Sequence, residues 1–415
     1  MEMRVLVVVV TVLSLSATSS SAIATSSSSY LRLRSPNDTL CAQLILPAGY
    51  PCTEHKIQTK DGYLLGLQRV SSQVKNLRIQ RGPPVLLLHG FFMSCMVLYL
   101  FNMQQAGDAW FLDSPQQSLG FILADQGFDV WVGNVRGTFW SHGHISLSEK
   151  DKAFWDWSWE DMAMYDLAEM VHCINSVTDT KVFVVGHSQG TIMSLAALTQ
   201  PNVAAMVKAA ALLAPISYLD HITATLVLRM VSVHLDQMIL AMGIHQLNFR
   251  SDILLNLLDS LCDSGVDCVD WLTSITGKNC CFNDSRVDFY FNYEPHPSSA
   301  KNLRHYFQMI RKGTFSQYDY GVFENLKIYG QLKPPAFELS QIPKSLPLWM
   351  AYGGKDALAD VTDLQHTLAN LESKPELLYL ENYGHLDFLL STKANEDIFS
   401  NMIGFFRSFG KSDTL

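Results

Sequence analysis

Long apolar runs are nearly missing from this 415-residue chain, although 48% of its residues are hydrophobic. The run that opens it, Leu6 to Leu15, is too short for a bilayer, which takes about 20 residues. No later stretch is long and uninterrupted enough, so no transmembrane segment is expected once the N-terminus is removed. Charge is also sparse: charged residues make up 17%, the net charge is −9 and there is no basic block. That acidic balance argues against nucleic acid as a partner. No His pair accompanies the eight cysteines at a ligand spacing, so neither a metal site nor an organic cofactor is expected. Internal repeats are absent as well.

What the N-terminus does contain is an address. Arg4, the short apolar core and the small residues Ala22-Ile23-Ala24 fit a signal peptide over residues 1–24. An uncleaved anchor or a buried strand is the alternative reading. The mature chain then begins near Thr25 in the secretory pathway, bound for the cell exterior or a vacuole- or lysosome-like compartment. Disulfides form there. Cys41 and Cys52 flank a short proline-containing loop and make a local pair. The group Cys262, Cys268, Cys280 and Cys281 has room for another bridge, while Cys173, in a helical pattern, reads as a free thiol. In such a compartment Asn37-Asp38-Thr39 and Asn283-Asp284-Ser285 have the form of glycosylation acceptors.

Strand and helix patterns alternate along the chain. Lys56 to Arg69 reads as a hairpin turning near Gly62. Pro84 to Leu88, Phe128 to Val132, Lys181 to Val185 and Ala209 to Leu213 are short apolar runs suited to strands buried on both faces. Helical patterns lie at Ser158 to Val171 and Thr191 to Leu198, and strand-like runs return at Leu346 to Tyr352 and Glu376 to Leu380. This alternation predicts a doubly wound α/β fold with a mostly parallel sheet. From Leu219 to Ile342 the rhythm breaks into helical spacing rich in Leu, Met, His and aromatics. We read residues 25–218 as the first part of a core, 219–342 as an inserted helical cap and lid, and 343–415 as the second part. An ordinary core helix cluster is the alternative for the middle segment.

Gly186-His187-Ser188-Gln189-Gly190 follows a strand and precedes a helix, the setting of a serine nucleophile on a tight turn. A serine hydroxyl needs a base, and the base needs an orienting acid. In this topology the chain order is Ser, acid, His. Asp356 follows a strand in Gly353-Gly354-Lys355-Asp356, and His385 follows the last strand in Tyr383-Gly384-His385. The rival acids are Asp360 and Asp363, in the next helical pattern, and Asp387, after the histidine. The rival base His366 sits in a helix and is expected to face solvent. Two backbone N–H donors should hold the oxyanion, one on Gln189 and one on Phe91 after His89-Gly90.

Together these segments resemble the acid lipase family of α/β-hydrolases, the gastric and lysosomal type. The residues that carry the resemblance include Leu88-His89-Gly90, Gly127 to Gly137, Phe154-Trp155-Asp156-Trp157-Ser158-Trp159, Gly186 to Thr191, Gly353 to Asp356 and His385-Leu386-Asp387-Phe388. The resemblance spans nearly the whole mature chain. It implies a carboxylic-ester hydrolase acting on neutral lipid at a lipid–water interface, with a lid over an apolar cleft. It implies the same five site residues, Ser188, Asp356, His385, Phe91 and Gln189, and agrees with a glycan at Asn283. Triacylglycerol is the expected substrate; a steryl or wax ester is the alternative within the class. Residues 94–105 depart from the family pattern, which passes almost directly from His-Gly to a segment like Gly107 to Phe111. An apolar insertion beside the oxyanion loop leaves a second class of reading open, a catalytically impaired lipid-binding homologue. The segment reads as retained intron sequence or a real loop and is expected to be dispensable or harmful, lying over the cleft as a further lid or aggregating; an inert surface helix is the alternative.

Overall fold

The computed structural model describes residues 39–72, 82–92, 95–96, 99–100, 103–248, 273–281, 286, 289–290, 293–294 and 296–409. The leader over 1–24, Asn37, Asn283, Cys262, Cys268 and the side chain of Cys95 lie outside these residues.

The hairpin forms from β1 (Cys52–Gln58) and β2 (Leu64–Val70), antiparallel from Cys52↔Val70 to Gln58↔Leu64. It extends a sheet built from β3 (Pro84–Leu88), β4 (Asp129–Gly133), β5 (Val182–His187), β6 (Val207–Leu213), β7 (Leu348–Gly353) and β8 (Glu376–Leu380). The strand order is β1-β2-β4-β3-β5-β6-β7-β8. The pairs β1–β2 and β2–β4 are antiparallel; the other five are parallel. β3, β4 and β5 are buried along their whole length, as short continuous apolar runs require when helices cover both faces. Among those helices are Leu119–Asp125, Ala168–Thr178, Gln189–Leu198, Val361–Asn370 and Ser400–Ser408. The last sets Phe406 against Phe183 of β5, ring centroids 4.5 Å apart.

Several elements run longer than their sequence patterns. β5 continues two residues past Val185 and carries the backbone to His187. The helix expected from Ser158 to Val171 continues to Thr178, through a wider turn at Met162–Leu167. Because β3 pairs with β4 on one side and β5 on the other, the strand order reverses there. In open α/β sheets ligands bind at the carboxyl ends of the strands beside such a reversal.

Between β6 and β7 the regular elements among the described residues are mainly helices. Thr225–Ser232 and Leu235–Ala241 pack against Ala300–Lys312, and Val322–Tyr329 follows. Ser299 caps the long helix by accepting from Lys301 N at 3.0 Å, and Arg311 grips the buried Asp236 at 2.7 and 3.0 Å. The cysteines form bridges Cys41–Cys52 and Cys280–Cys281, and Cys173 is free and half-buried.

Of residues 91–104 the structure describes Phe91–Phe92, which pairs antiparallel with Met103–Gln104, and Cys95–Met96, which pairs with Tyr99–Leu100, so these described positions are extended rather than in the surface helix held as the alternative.

Candidate active site

β5 ends at His187 and the helix Gln189–Leu198 begins two residues later, leaving Ser188 to make the whole turn. Its backbone sits at φ 51°, ψ −114°, a conformation few non-glycine residues adopt. The turn closes only because its flanks lack side chains. A Cβ on Gly186 would lie 2.6 Å from the Gly190 carbonyl oxygen, and one on Gly190 2.4 Å from the Leu88 carbonyl oxygen. The strain is over-determined by β3 and β5 and lifts the Ser188 hydroxyl above the strand ends.

The loops after β7 and β8 bring two more groups to that hydroxyl. His385 Nδ1 donates to Asp356 Oδ2 at 2.8 Å, which leaves Nε2 to accept from Ser188 Oγ at 2.8 Å. Asp356 Oδ1 takes the backbone N–H groups of Leu358 and Ala359, both at 2.8 Å, so the carboxylate cannot rotate. All three side chains are buried. The structure therefore joins Ser188, His385 and Asp356 in one hydrogen-bonded chain, with the proton-accepting nitrogen facing the hydroxyl.

The rival residues have other partners. Asp387 is fully buried and accepts from Gly384 N (2.8 Å), Cys280 N (2.9 Å) and Cys281 N (3.1 Å). Burial raises its carboxyl above the ordinary range although these three donors pull it down. Asp360 caps the helix Val361–Asn370 through Thr362 N, and Asp363 binds His221. His366 lies exposed on that helix, stacked on Tyr218.

Several residues of the frame carry no motif in sequence. His385 is held at both backbone ends: its N–H donates to Thr276 O and its carbonyl accepts from His187 Nε2, each at 3.0 Å. Asn279 Oδ1 accepts from Leu386 N at 3.0 Å, and Gly277 bridges to Asp356. The segment 276–281 thus clasps the acid and base loops from a distant stretch of chain. Burial, and then the nearby His385, holds the His187 imidazole well below its usual range. A neutral His187 places no competing positive charge beside His385.

Of the two residues nominated as oxyanion donors, Gln189 follows Ser188 directly and Phe91 stacks on Tyr306, whose hydroxyl reaches the Gln189 side chain. Gln189 is the first helical residue after Ser188, where free backbone N–H groups point out of the helix. Phe91 is the third residue after β3 and is 6% exposed. Gly90, the residue before Phe91, donates its N–H to Gln105 Oε1 at 3.0 Å. His89 is fully buried and accepts from Val135 N at 3.2 Å, and burial lowers it to about 4, so it acts as an uncharged brace. The buried Asp108 is engaged by His296 Nε2 (2.9 Å) and Trp140 Nε1 (3.2 Å).

Sheet order, strained serine and loop placement together describe an α/β-hydrolase, and comparison with known proteins narrows that class. The model of the α/β hydrolase fold matches residues 83–392, and that of a partial α/β-hydrolase lipase region matches residues 41–100. Triacylglycerol lipase 1 of Arabidopsis thaliana is 66% identical over 380 residues, 92% of this chain and 93% of that protein. Human gastric triacylglycerol lipase is 33% identical over 386 residues, 89% of this chain and 91% of that protein. Among solved structures, a soluble variant of monoglyceride lipase from Saccharomyces cerevisiae superposes with a TM-score of 0.53 at 14% identity, covering 86% of this chain and 96% of that one, a likeness of fold alone. The chain belongs to the acid lipase family of α/β-hydrolases. It is a carboxylic ester hydrolase.

Proposed function

We propose that this enzyme hydrolyses triacylglycerols through an acyl-enzyme intermediate, with Ser188 as nucleophile, His385 as base and then acid, and Asp356 as the orienting carboxylate. The observation that carries the reading is the chain of two 2.8 Å hydrogen bonds ending on a serine with a positive φ. The names of the relatives, triacylglycerol lipases of plant and animal, support the substrate.

In the first half-reaction Ser188 Oγ attacks the ester carbonyl carbon while His385 Nε2 takes its proton. The carbonyl π pair moves onto oxygen, where the N–H groups of Phe91 and Gln189 receive the charge. The pair returns, the bond to the glycerol oxygen breaks, and His385 gives its proton to that oxygen. Water then repeats the sequence on the acyl ester and frees the fatty acid. No step asks for a metal or an organic cofactor. Asp356 keeps Nδ1 protonated, so Nε2 is free at the moment of attack.

Residues 219–342 act as cap and lid over the cleft. The chain enters the secretory pathway with loss of residues 1–24, carries glycans on Asn37 and Asn283, and works outside the cell or in a vacuole- or lysosome-like compartment. The Cys41–Cys52 bridge supports an oxidising environment, and no described helix is long and apolar enough to cross a membrane.

The test is a panel of triacylglycerol, steryl ester, phospholipid and short-chain ester, run on the purified chain and on Ser188→Ala, with a fluorophosphonate probe alongside. Triacylglycerol should turn over fastest, the probe should label the parent alone, and Ser188→Ala should lose on the order of 10⁴ to 10⁶ in rate. Faster turnover of steryl ester would replace the substrate assignment. An unlabelled parent would make the protein a lipid binder.

A further inference from the structure

The aromatic stretch Phe154 to Trp159 has so far had no task. It forms a seat for the helix Ala300–Lys312. Ser299, which caps that helix, donates its hydroxyl to Trp155 O at 2.6 Å. Asp156 pairs with Lys301 at 3.1 Å, Ser158 Oγ lies 3.0 Å from His305 Nδ1, and the Trp159 ring stacks on His305 at 4.6 Å. The Trp159 N–H donates to Asn302 Oδ1 at 2.7 Å. The helix is thus fixed in rotation as well as in place.

So fixed, the helix aims two residues one turn apart, Asn302 and Tyr306, at the first residue after the nucleophile. Asn302 Nδ2 donates to Gln189 Oε1 at 2.9 Å, and Tyr306 Oη donates to the same oxygen at 3.2 Å. Tyr306 also lies against Phe91, ring centroids 5.3 Å apart and planes 15° from parallel. Asn302, Tyr306 and Gln189 are buried, as is Phe91. The residues nominated as oxyanion donors arrive from separate loops, one after β3 and one after β5. Tyr306 touches both.

We propose that Tyr306, supported by Asn302, is a positioning residue for the oxyanion site, fixing the spacing and aim of the Phe91 and Gln189 N–H groups. This rests on the reading that those two groups receive the transition-state charge. Backbone donors cannot be tuned by their own side-chain chemistry; they are aimed by whatever holds the residues that bear them. A shift of a few tenths of an ångström in one donor relative to the other weakens binding of a tetrahedral oxyanion more than binding of a planar ester. Tyr306 then controls kcat rather than substrate affinity, although it reaches neither the substrate nor the triad.

The experiment compares Tyr306→Leu, Tyr306→Phe and Asn302→Leu with the parent, all as full chains and all normalised to sites titrated with fluorophosphonate. Three quantities are read: kcat and KM on a soluble p-nitrophenyl ester, affinity for an alkyl boronic acid that becomes tetrahedral on Ser188, and affinity for a free fatty acid. Tyr306→Leu, which loses both contacts, should lower kcat per titrated site about 10²-fold and boronate affinity by a similar factor. KM and fatty-acid affinity should stay within about twofold. Tyr306→Phe keeps the stack and loses one hydrogen bond, so it should recover to within about fivefold of the parent in kcat. Asn302→Leu should fall between them and follow the same pattern. A merely structural role would lower thermal stability and the yield of titratable sites while leaving kcat per site and boronate affinity unchanged. That result, or a rise in KM alone, would overturn the proposal. Should Tyr306→Leu not fold, Tyr306→Phe and Asn302→Leu decide it by the same two readings. Ser188→Ala is run in parallel: activity persisting there would locate the failure in the catalytic assignment instead.

Discussion

Ser188 occupies a backbone well that its neighbours make unavoidable, and the groups around it divide along equally steric and electrostatic lines. Two carboxylates lie near the histidine, Asp356 and Asp387, and only Asp356 reaches His385 Nδ1. Asp356→Asn should cost at least about 10³ in kcat with little change in lipid binding, because the amide favours the wrong imidazole tautomer. Asp387→Asn should cost less, about 10²-fold, because it loosens the backbone beside His385 without changing its proton. Steady-state kinetics on a soluble ester separates the two, and equal losses would reassign the acid. Ser188, Asp356 and His385, proposed as nucleophile, acid and base, could be nominated from sequence because each follows a strand end in a fixed chain order. The clasp could not be: Thr276 holds His385 through its backbone carbonyl and Asn279 holds Leu386 through a side chain of a kind found in any loop, each from a stretch of chain far away in sequence.

At the scale of elements, the described residues after Gly90 pair as two short antiparallel stretches, Phe91–Phe92 with Met103–Gln104 and Cys95–Met96 with Tyr99–Leu100. The first of these leads into Gln105, whose side chain holds the Gly90 N–H. Deletion of 94–105 as one block therefore removes a brace along with these pairings. Replacing residues 95–100 by a short Gly-Ser link, with Gln105 retained, should leave ester hydrolysis within about threefold of the parent. Gln105→Ala should lower kcat about tenfold by leaving a buried donor unpaired beside Ser188. Assays of both variants on one soluble ester check this, and the opposite ranking would make residues 95–100 part of the cleft. Alternating strands and helices were readable from apolar runs, because burial on both faces demands them. The short paired stretches were harder, since a dozen mixed apolar residues satisfy helix and strand patterns alike.

Across the whole molecule, buried acids tune stability to pH. Glu160 is pushed up to about 8, chiefly by burial and secondarily by Asp161, while it accepts from Tyr318 N at 2.7 Å. The folded state therefore holds this proton over a range in which the unfolded chain releases it. The stabilisation is complete below the ordinary carboxyl range near 4.5 and is lost as pH rises through about 8. Glu160→Gln should flatten that decline: its melting temperature should change less than the parent's between mildly acidic and mildly alkaline buffers, as read by scanning calorimetry. A parent curve that rises with pH over the same range would contradict this. The cap carries a second expectation. Rate per enzyme should climb sharply once triacylglycerol exceeds its solubility, because a lid opens by burying apolar surface in lipid. Plain saturation kinetics through that point would indicate an enzyme for dissolved esters.

One feature of the sheet bears on timing. Ser188 follows β5, Asp356 follows β7 and His385 follows β8, and the helix Ser400–Ser408 packs Phe406 onto β5 only after all of these. The three reacting groups meet solely through pairings between strands far apart in the chain, and such contacts form late in folding. A growing chain thus carries its nucleophile long before it carries a base. Ester hydrolysis is therefore expected only once β7 and β8 have been made and have paired with the rest of the sheet.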